Sequence, residues 1–380
     1  MSLKILHDTI DGRAGVHIYF LVQALTLLQQ GGRLAFILPA DTFEGVFSLK
    51  LWKWVAKTFR IEAVITFDSD ATPFPNVDTN AVVVLIKNLE PSESFLWVRA
   101  KQAYTNDLLD FVTSDFCSRQ LPSLEIIERT VHEGISTGLS RHPHLGHHSE
   151  YKLSHFARVM RGIATGANDF FFLSKSKAEE LHIPPKFLKS AIGRTRDVEG
   201  FVFTKQDLLA LEQHGRPTLL LSIPNLALDS LPSPVRAYLK QGEQLGLPRK
   251  ALIATRSPWY KMEHREVPDF LFAYLGRRNA RFIRNEAGII PLTGFLCVYS
   301  LSKEPTYIDK LWKVLQHPDT MKNLFLVGKS YGSGAIKVEP KSLSTLSIPN
   351  HVLESVNLTP PFDTATELEL FGNHGAQPIM

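Results

Sequence analysis

The 380-residue sequence predicts an α/β protein: an open, Rossmann-like sheet in residues 1–89, then, from Tyr151, a second, loop-rich α+β domain about as large as the part before it. Three features lead there. Apolar residues recur at three- and four-residue spacing between 15 and 30 and again between 48 and 59. A continuous apolar run of strand length follows each of those helices. Beyond Tyr151, short strands are broken by closely spaced glycines and prolines.

In the first helix Ile18, Leu21, Val22, Leu25 and Leu28 make one apolar face, and Gly31 and Gly32 end it. "RLAFILPA" follows, a run stopped by Pro39 and read as a strand covered on both faces in a parallel sheet. Leu51, Trp54, Val55 and Phe59 define the second helix, "IEAVITFD" the second strand and "NAVVVLIKN" the third. Strand, helix, strand with short connections is a right-handed crossover unit, whose ligands sit beyond the carboxyl ends of the strands. Phe74 stands between Pro73 and Pro75 on the connection from the second strand to the third. On pattern alone it is a hydrophobe anchoring a loop.

Residues 90–150 read as a connecting segment that ends in "SRHPHLGHHSEY", residues 151–355 as the second domain and 356–380 as a tail. His142, His144, His147 and His148 lack acidic or cysteine partners at ligand spacing, so no metal is expected of them. Cys117 and Cys297 are too few for a disulfide framework. The formal charge of +4 permits nucleic acid as a partner without requiring it. With no apolar run of membrane length and no secretory leader in the opening residues, the expected setting is cytoplasmic, away from membranes.

The order of "VHIYFLVQALTLLQQGGRLAFILPADTF", a Trp-bearing helix and "IEAVITFD…PFPNVDTNAVVVLIKN" resembles the later half of the catalytic domain of gamma-class N6-adenine DNA methyltransferases of restriction-modification systems. "GIATGANDFFFL", "ATRSPWYK", "RFIRNEAG" and "KSLSTLSIP" are similar to the target recognition domain that follows it. The resemblance implies methyl transfer from S-adenosylmethionine to the exocyclic amine of an adenine flipped out of duplex DNA. Two parts of the family's pattern are missing from these residues: the glycine-containing donor loop and the Asn-Pro-Pro-Tyr/Phe motif. "GG" at 31 follows a helix rather than a strand, and "GKSYGSG" lacks the lysine placement of a phosphate loop. The expectation is therefore a C-terminal portion of a methyltransferase that does not bind S-adenosylmethionine and is inactive alone. Its partners would be double-stranded DNA and the missing N-terminal catalytic half, or a restriction subunit.

Within the resemblance Phe74 matches the aromatic that stacks on one face of the flipped base. Asp68, Asp70 and Asp78 around it suggest acid/base chemistry, but turn aspartates commonly satisfy local backbone groups. Between Lys250 and Arg284 eight Lys/Arg face three acids, with aromatics interleaved, which tilts the stretch toward DNA. From it Arg256, Trp259, Tyr260, Arg277, Arg278, Arg281 and Arg284 are candidate contacts. Arg161, Thr165 and Asn168 around the glycine turn, Arg194 and Arg196 in "GRTRD", and Lys329 and Tyr331 in "GKSYGSG" complete the set, with Thr165 and Asn168 expected to be exposed. Two other readings stay open: a free-standing DNA specificity subunit, and a methyltransferase acting on RNA or protein. An upstream nuclease domain is a further possibility, although no acidic cluster with lysine marks one here.

Overall fold

The computed structural model describes residues 15–361 apart from 45–47, 69–70, 72, 75–79, 144–148, 275–279 and 331–335. It divides into two compact units, Met1–Gly146 with Lys322–Lys337, and His147–Met321 with Val338–Met380. Arg277, Arg278, Tyr331, Asp70, Asp78 and three of the clustered histidines lie outside the described residues.

The first unit is built on β1 (Arg33–Pro39), β2 (Arg60–Phe67), β3 (Ala81–Lys87), β4 (Ser94–Ala100) and β5 (Leu124–Thr130), in the order β1-β3-β2-β4-β5. α1 (Val16–Thr26), α2 (Asp41–Glu44), α3 (Ser48–Thr58), α4 (Asn106–Thr113) and α5 (Val131–Thr137) connect them. Strand periodicity sorts side chains into two cores. Val64, Val82, Val84, Ile86, Phe95 and Trp97 pack with α1 and α3, whereas Ala63, Ile65, Leu85, Leu96 and Val98 pack with Phe111 of α4. Gly31 turns at φ +75°, and its N–H donates to the carbonyl of Asn88 at 2.8 Å, locking the turn before β1 to the end of β3.

Three expectations for this unit change. β3 lies antiparallel between β1 and β2 rather than beside them in a parallel sheet. No helix is described between β2 and β3, and a return without a crossover helix runs antiparallel. β1 is covered on one face only: Leu34, Phe36 and Leu38 join the core with α1 and α3, while Arg33, Ala35 and Ile37 are exposed because the core around α4 takes no residue from β1. The segment expected to connect the domains instead adds β4 parallel to β2, and β5 antiparallel to β4. Phe95 and Trp97 bury into one core and Leu96 and Val98 into the other, so β4 is an interior strand.

The second unit carries two sheets. One runs β6 (Ala157–Arg161), β14 (Phe295–Ser300), β11 (Phe270–Ala273), β12 (Arg281–Asn285) and β9 (Val202–Phe203) in spatial order. The other runs β13 (Ile290–Pro291), β8 (Leu188–Ile192), β10 (Leu219–Leu221) and β7 (Phe172–Leu173). Helices α6 (Asn168–Phe171), α7 (Lys175–Glu180), α8 (Lys205–Gln213), α9 (Ser233–Gln244), α10 (Pro305–Gln316) and α11 (Pro318–Lys322) intervene. The chain then re-enters the first unit with α12 (Leu324–Val327), β15 (Lys329–Ser330) and β16 (Ile336–Lys337), before α13 (Pro340–Ser344) and α14 (Asn350–Ser355) of the second. Thr204 and Asp207 form a capping box at the start of α8.

The two sheets of the second unit meet at Gly162. Its N–H donates to the carbonyl of Phe295 at 3.2 Å, and the next residue, Ile163, bridges Leu292. A Cβ at 162 would stand 2.2 Å from the Leu292 carbonyl oxygen, a contact that only backbone movement relieves. Gly162→Ala should therefore lower the unfolding free energy of this unit by about 1–3 kcal/mol, the usual cost of forcing atoms into a filled interior. Urea denaturation checks this, and an unchanged midpoint would show that the junction yields without cost.

Candidate sites at the sheet edge and on the second unit

β1 and β2 are both antiparallel to β3, so their carboxyl ends and the amino end of β3 share one edge, where Pro39 pairs with Ala81 and Thr66 with Val82. A cavity of about 150 Å³ opens there, lined by Ala40, Glu44, Phe67, Asn80, Arg141 and His142 among others. Phe74 is on the connection between two strand ends that line this cavity, and it is 43% exposed. Asp68 pairs with Arg99 at 3.5 Å and its carbonyl accepts from the N–H of Ala71, so its groups serve the turn.

The polar wall of the cavity was not foreseen from the sequence. Glu44 and Arg141 have side chains 3% and 12% exposed and face each other at 3.6 Å. Ser140 Oγ donates to Glu44 at 2.6 Å. The Arg141 guanidinium donates to the carbonyls of Leu326, Gly328 (2.7 Å) and Thr137 (3.0 Å), which ties the returning segment to the loop after α5. Burial lowers the pKa of Arg141 and the nearby Glu44 opposes that shift. The same loop is held by Trp97, whose Nε1 donates to the Ser140 carbonyl at 3.0 Å, and by Arg129, which donates to the Arg141 carbonyl at 2.6 Å. His142 meets Glu125 at 3.1 Å; burial pushes that carboxyl up, but His142 and Arg99 outweigh it and hold it below its ordinary range. Glu44 and Ser140 are 96 residues apart and no local pattern joins them.

S-adenosylmethionine does not fit this cavity. Small-molecule sites are roughly 300–1,000 Å³, about twice this volume or more, and the Glu44 carboxylate is engaged by Ser140 and Arg141.

On the second unit the sequence-predicted contacts separate into two groups. Several are structural. Thr165, expected to be exposed, is 1% exposed; its hydroxyl donates to Asn168 Oδ1 at 2.5 Å and accepts from the N–H of Ala167, closing the glycine turn. Tyr260 is buried and donates to the Leu226 carbonyl at 2.7 Å. Trp259 packs against the core beside Phe170 and donates to Glu243. Arg281 is buried and donates to the carbonyls of Gly200 and Val198, each at 2.8 Å. Arg256 donates to the Ala164 carbonyl at 2.6 Å and lies over the Phe171 ring, and burial lowers its pKa. Arg284 pairs with Asp309 at 2.7 Å. The rest are exposed: Asn168 at the start of α6, Arg161 beside Glu339 at 3.8 Å, and Arg194 and Arg196, which make no ion pair among the described residues. Lys329 lies in β15.

Residues 143–369 match the model of a family described as the C-terminal domain of type II methyltransferase M.Eco57I. Type II methyltransferase M.AccI of Acinetobacter calcoaceticus is 27% identical over 346 residues, 88% of this chain and 62% of that protein. Among solved structures, the type IIG restriction endonuclease BpuSI is similar at 17% identity over 93% of this chain and 46% of its own, with a TM-score of 0.36. The type IIL restriction-modification enzyme MmeI, solved in complex with DNA, is similar at 12% identity over 83% of this chain and 37% of its own, with a TM-score of 0.45. The class is that of the C-terminal domains of type II methyltransferases. The chain belongs to the M.Eco57I C-terminal domain family, as its sequence motifs anticipated, and spans about three-fifths of the length of M.AccI.

Removing one partner of a buried ion pair strands the other in a dry site at a cost of about 3–5 kcal/mol, whereas replacing both by apolar groups is often neutral. Arg141→Met should accordingly destabilise the first unit by about that amount, and Glu44→Leu with Arg141→Met should recover most of it. Urea denaturation of both variants checks this; equal losses in the two would refute the pairing.

Proposed function

We propose that the chain is the C-terminal portion of a site-specific DNA adenine N6-methyltransferase of a restriction-modification system. The observation that carries this is the match to M.AccI across 88% of the chain, taken with membership of the methyltransferase C-terminal family. In this reading the first unit supplies the end of the catalytic sheet and the second the target recognition domain, which grips duplex DNA. S-adenosylmethionine and the Asn-Pro-Pro-Tyr motif are then held by residues beyond these 380, and the chain alone is inactive. The small cavity at the sheet edge and the uncovered face of β1 support that division of labour.

Phe74 stacks on the extruded adenine. Flipping a base costs a few kcal/mol, and an exposed ring on a loop at the ligand end of the sheet offsets part of that cost. Pro73 restricts the backbone before it and keeps the ring presented. Base–aromatic stacking is worth about 1–3 kcal/mol, so in the enzyme completed by its catalytic half Phe74→Ala should slow single-turnover methylation about tenfold or more. Duplex binding should change little. Equal methylation rates would return Phe74 to a loop-anchoring role, and tight binding of S-adenosylmethionine by the isolated chain would overturn the division of labour.

Arg194 and Arg196 are the exposed cations best placed to meet phosphate, since no carboxylate engages them among the described residues. Replacing both by alanine should weaken duplex binding about equally for every sequence. It should also flatten the dependence of log K on log salt by about one unit per residue lost. Fluorescence anisotropy across a salt series measures both, and binding insensitive to salt would remove the phosphate-contact picture.

A further inference from the structure

We propose that the second unit carries a divalent-cation site of the zinc type, formed by His317, Asp319 and His351. The three side chains each bring one ligating atom into a group whose members all lie within 4.8 Å of one another. His351 Nε2 is 3.1 Å and His317 Nδ1 3.9 Å from the same carboxylate oxygen, Asp319 Oδ2. Ligands about 2.0–2.2 Å from a tetrahedral ion stand about 3.3–3.5 Å apart, so both separations lie close to tetrahedral edges. Small rotations of partly exposed side chains bring the donors to bonding distance.

The backbone presents these donors from separate elements. Pro318 disfavours helical geometry at the residue before it, and His317 accordingly sits at φ −64° and ψ 133°, ending α10. The chain restarts at once as α11, which carries Asp319, so the two donors flank a fixed corner. His351 arrives from α14, 32 residues further along the chain than Asp319, after Pro349. The His317 and His351 rings are 5.9 Å apart at 76°, edge to face rather than stacked.

His351 forms an ion pair with Asp319, and His317 Nδ1 accepts from the N–H of Asp319 at 3.2 Å, as a residue capping α11 would. A cation bound through His317 Nδ1 would exchange that one hydrogen bond for a coordinate bond. Two imidazoles and a carboxylate suit zinc, whereas calcium and magnesium favour shells of six or more oxygens. Side chains 36%, 23% and 55% exposed leave the fourth position open to water or to a ligand from outside. Bound there, the ion would clip α14 to the corner between α10 and α11. The sequence hides such a site, because a His-x-Asp pair and a lone histidine 32 residues on match no ligand-spacing pattern.

Chelator-treated full chain is titrated with Zn²⁺ by calorimetry and with Co²⁺ by visible absorption. The expected result is one saturable Zn²⁺ per chain, four-coordinate cobalt bands and a rise in Tm with Zn²⁺. His351→Ala and the near-isosteric Asp319→Asn should each weaken binding tenfold or more and abolish the Tm rise, while His132→Ala, exposed on the first unit, should leave both unchanged. Undiminished affinity in the Asp319→Asn or His351→Ala chain, six-coordinate cobalt spectra, or no saturable binding would each overturn the proposal.

Discussion

The first unit depends on one charge removed from water. Glu44 faces Arg141 at 3.6 Å, and the backbone carbonyls of Thr137, Leu326 and Gly328 accept from its guanidinium. Those partners come from three places: α2, the end of α5, and residues 326–328, which are reached only after the chain has built most of the second unit. Dehydrating the arginine costs several kcal/mol, which these partners together offset. The interaction therefore makes membership of the unit conditional on the return of a distant segment. The same residues line the cavity at the ligand edge, so the wall of the candidate site and the closure of the fold are one construction.

In the second unit arginine performs the same task repeatedly. Short strands and tight turns leave carbonyls that no ladder pairs, and a guanidinium with five donors satisfies them economically. Arg281 closes the carbonyls of Val198 and Gly200, and Arg256 that of Ala164. A basic stripe read along the sequence therefore divides in space into internal pins and surface charge. The set left at the surface is smaller and includes Arg194 and Arg196, which make no ion pair among the described residues.

Legibility followed the range of the interaction. The helices and strands between 16 and 87 were readable because burial imposes periods of 3.6 and 2 on neighbouring residues, and their limits in the structure fall within a few residues of the pattern. Strand neighbours were not readable. "AVVVLIK" has the same apolar run whether its partners are parallel or antiparallel, and its insertion between β1 and β2 is set by the connection rather than by the run. The site was less legible still. Phe74 was visible as an aromatic flanked by prolines, but Glu44, Ser140 and Arg141 look like ordinary surface residues until the fold brings them together. The exposure assigned to Thr165 failed for a local reason: its hydroxyl closes the turn that its glycine neighbour allows.

The edge of the first sheet connects these threads. β1 pairs with β3 alone among the described strands, and it exposes Ala35 and Ile37 on the face that α4 leaves bare. An open edge with alternating apolar residues costs a soluble protein in specificity, since it is a template for pairing with any other strand. Proteins commonly blunt such edges with charge or proline, and here Arg33 and Pro39 mark only the two ends of the strand. Between them Leu34, Ala35, Phe36, Ile37 and Leu38 carry neither device. A strand edge of this kind is open to pairing with a further strand, and it lies in the same sheet as the cavity between the ends of β1, β2 and β3.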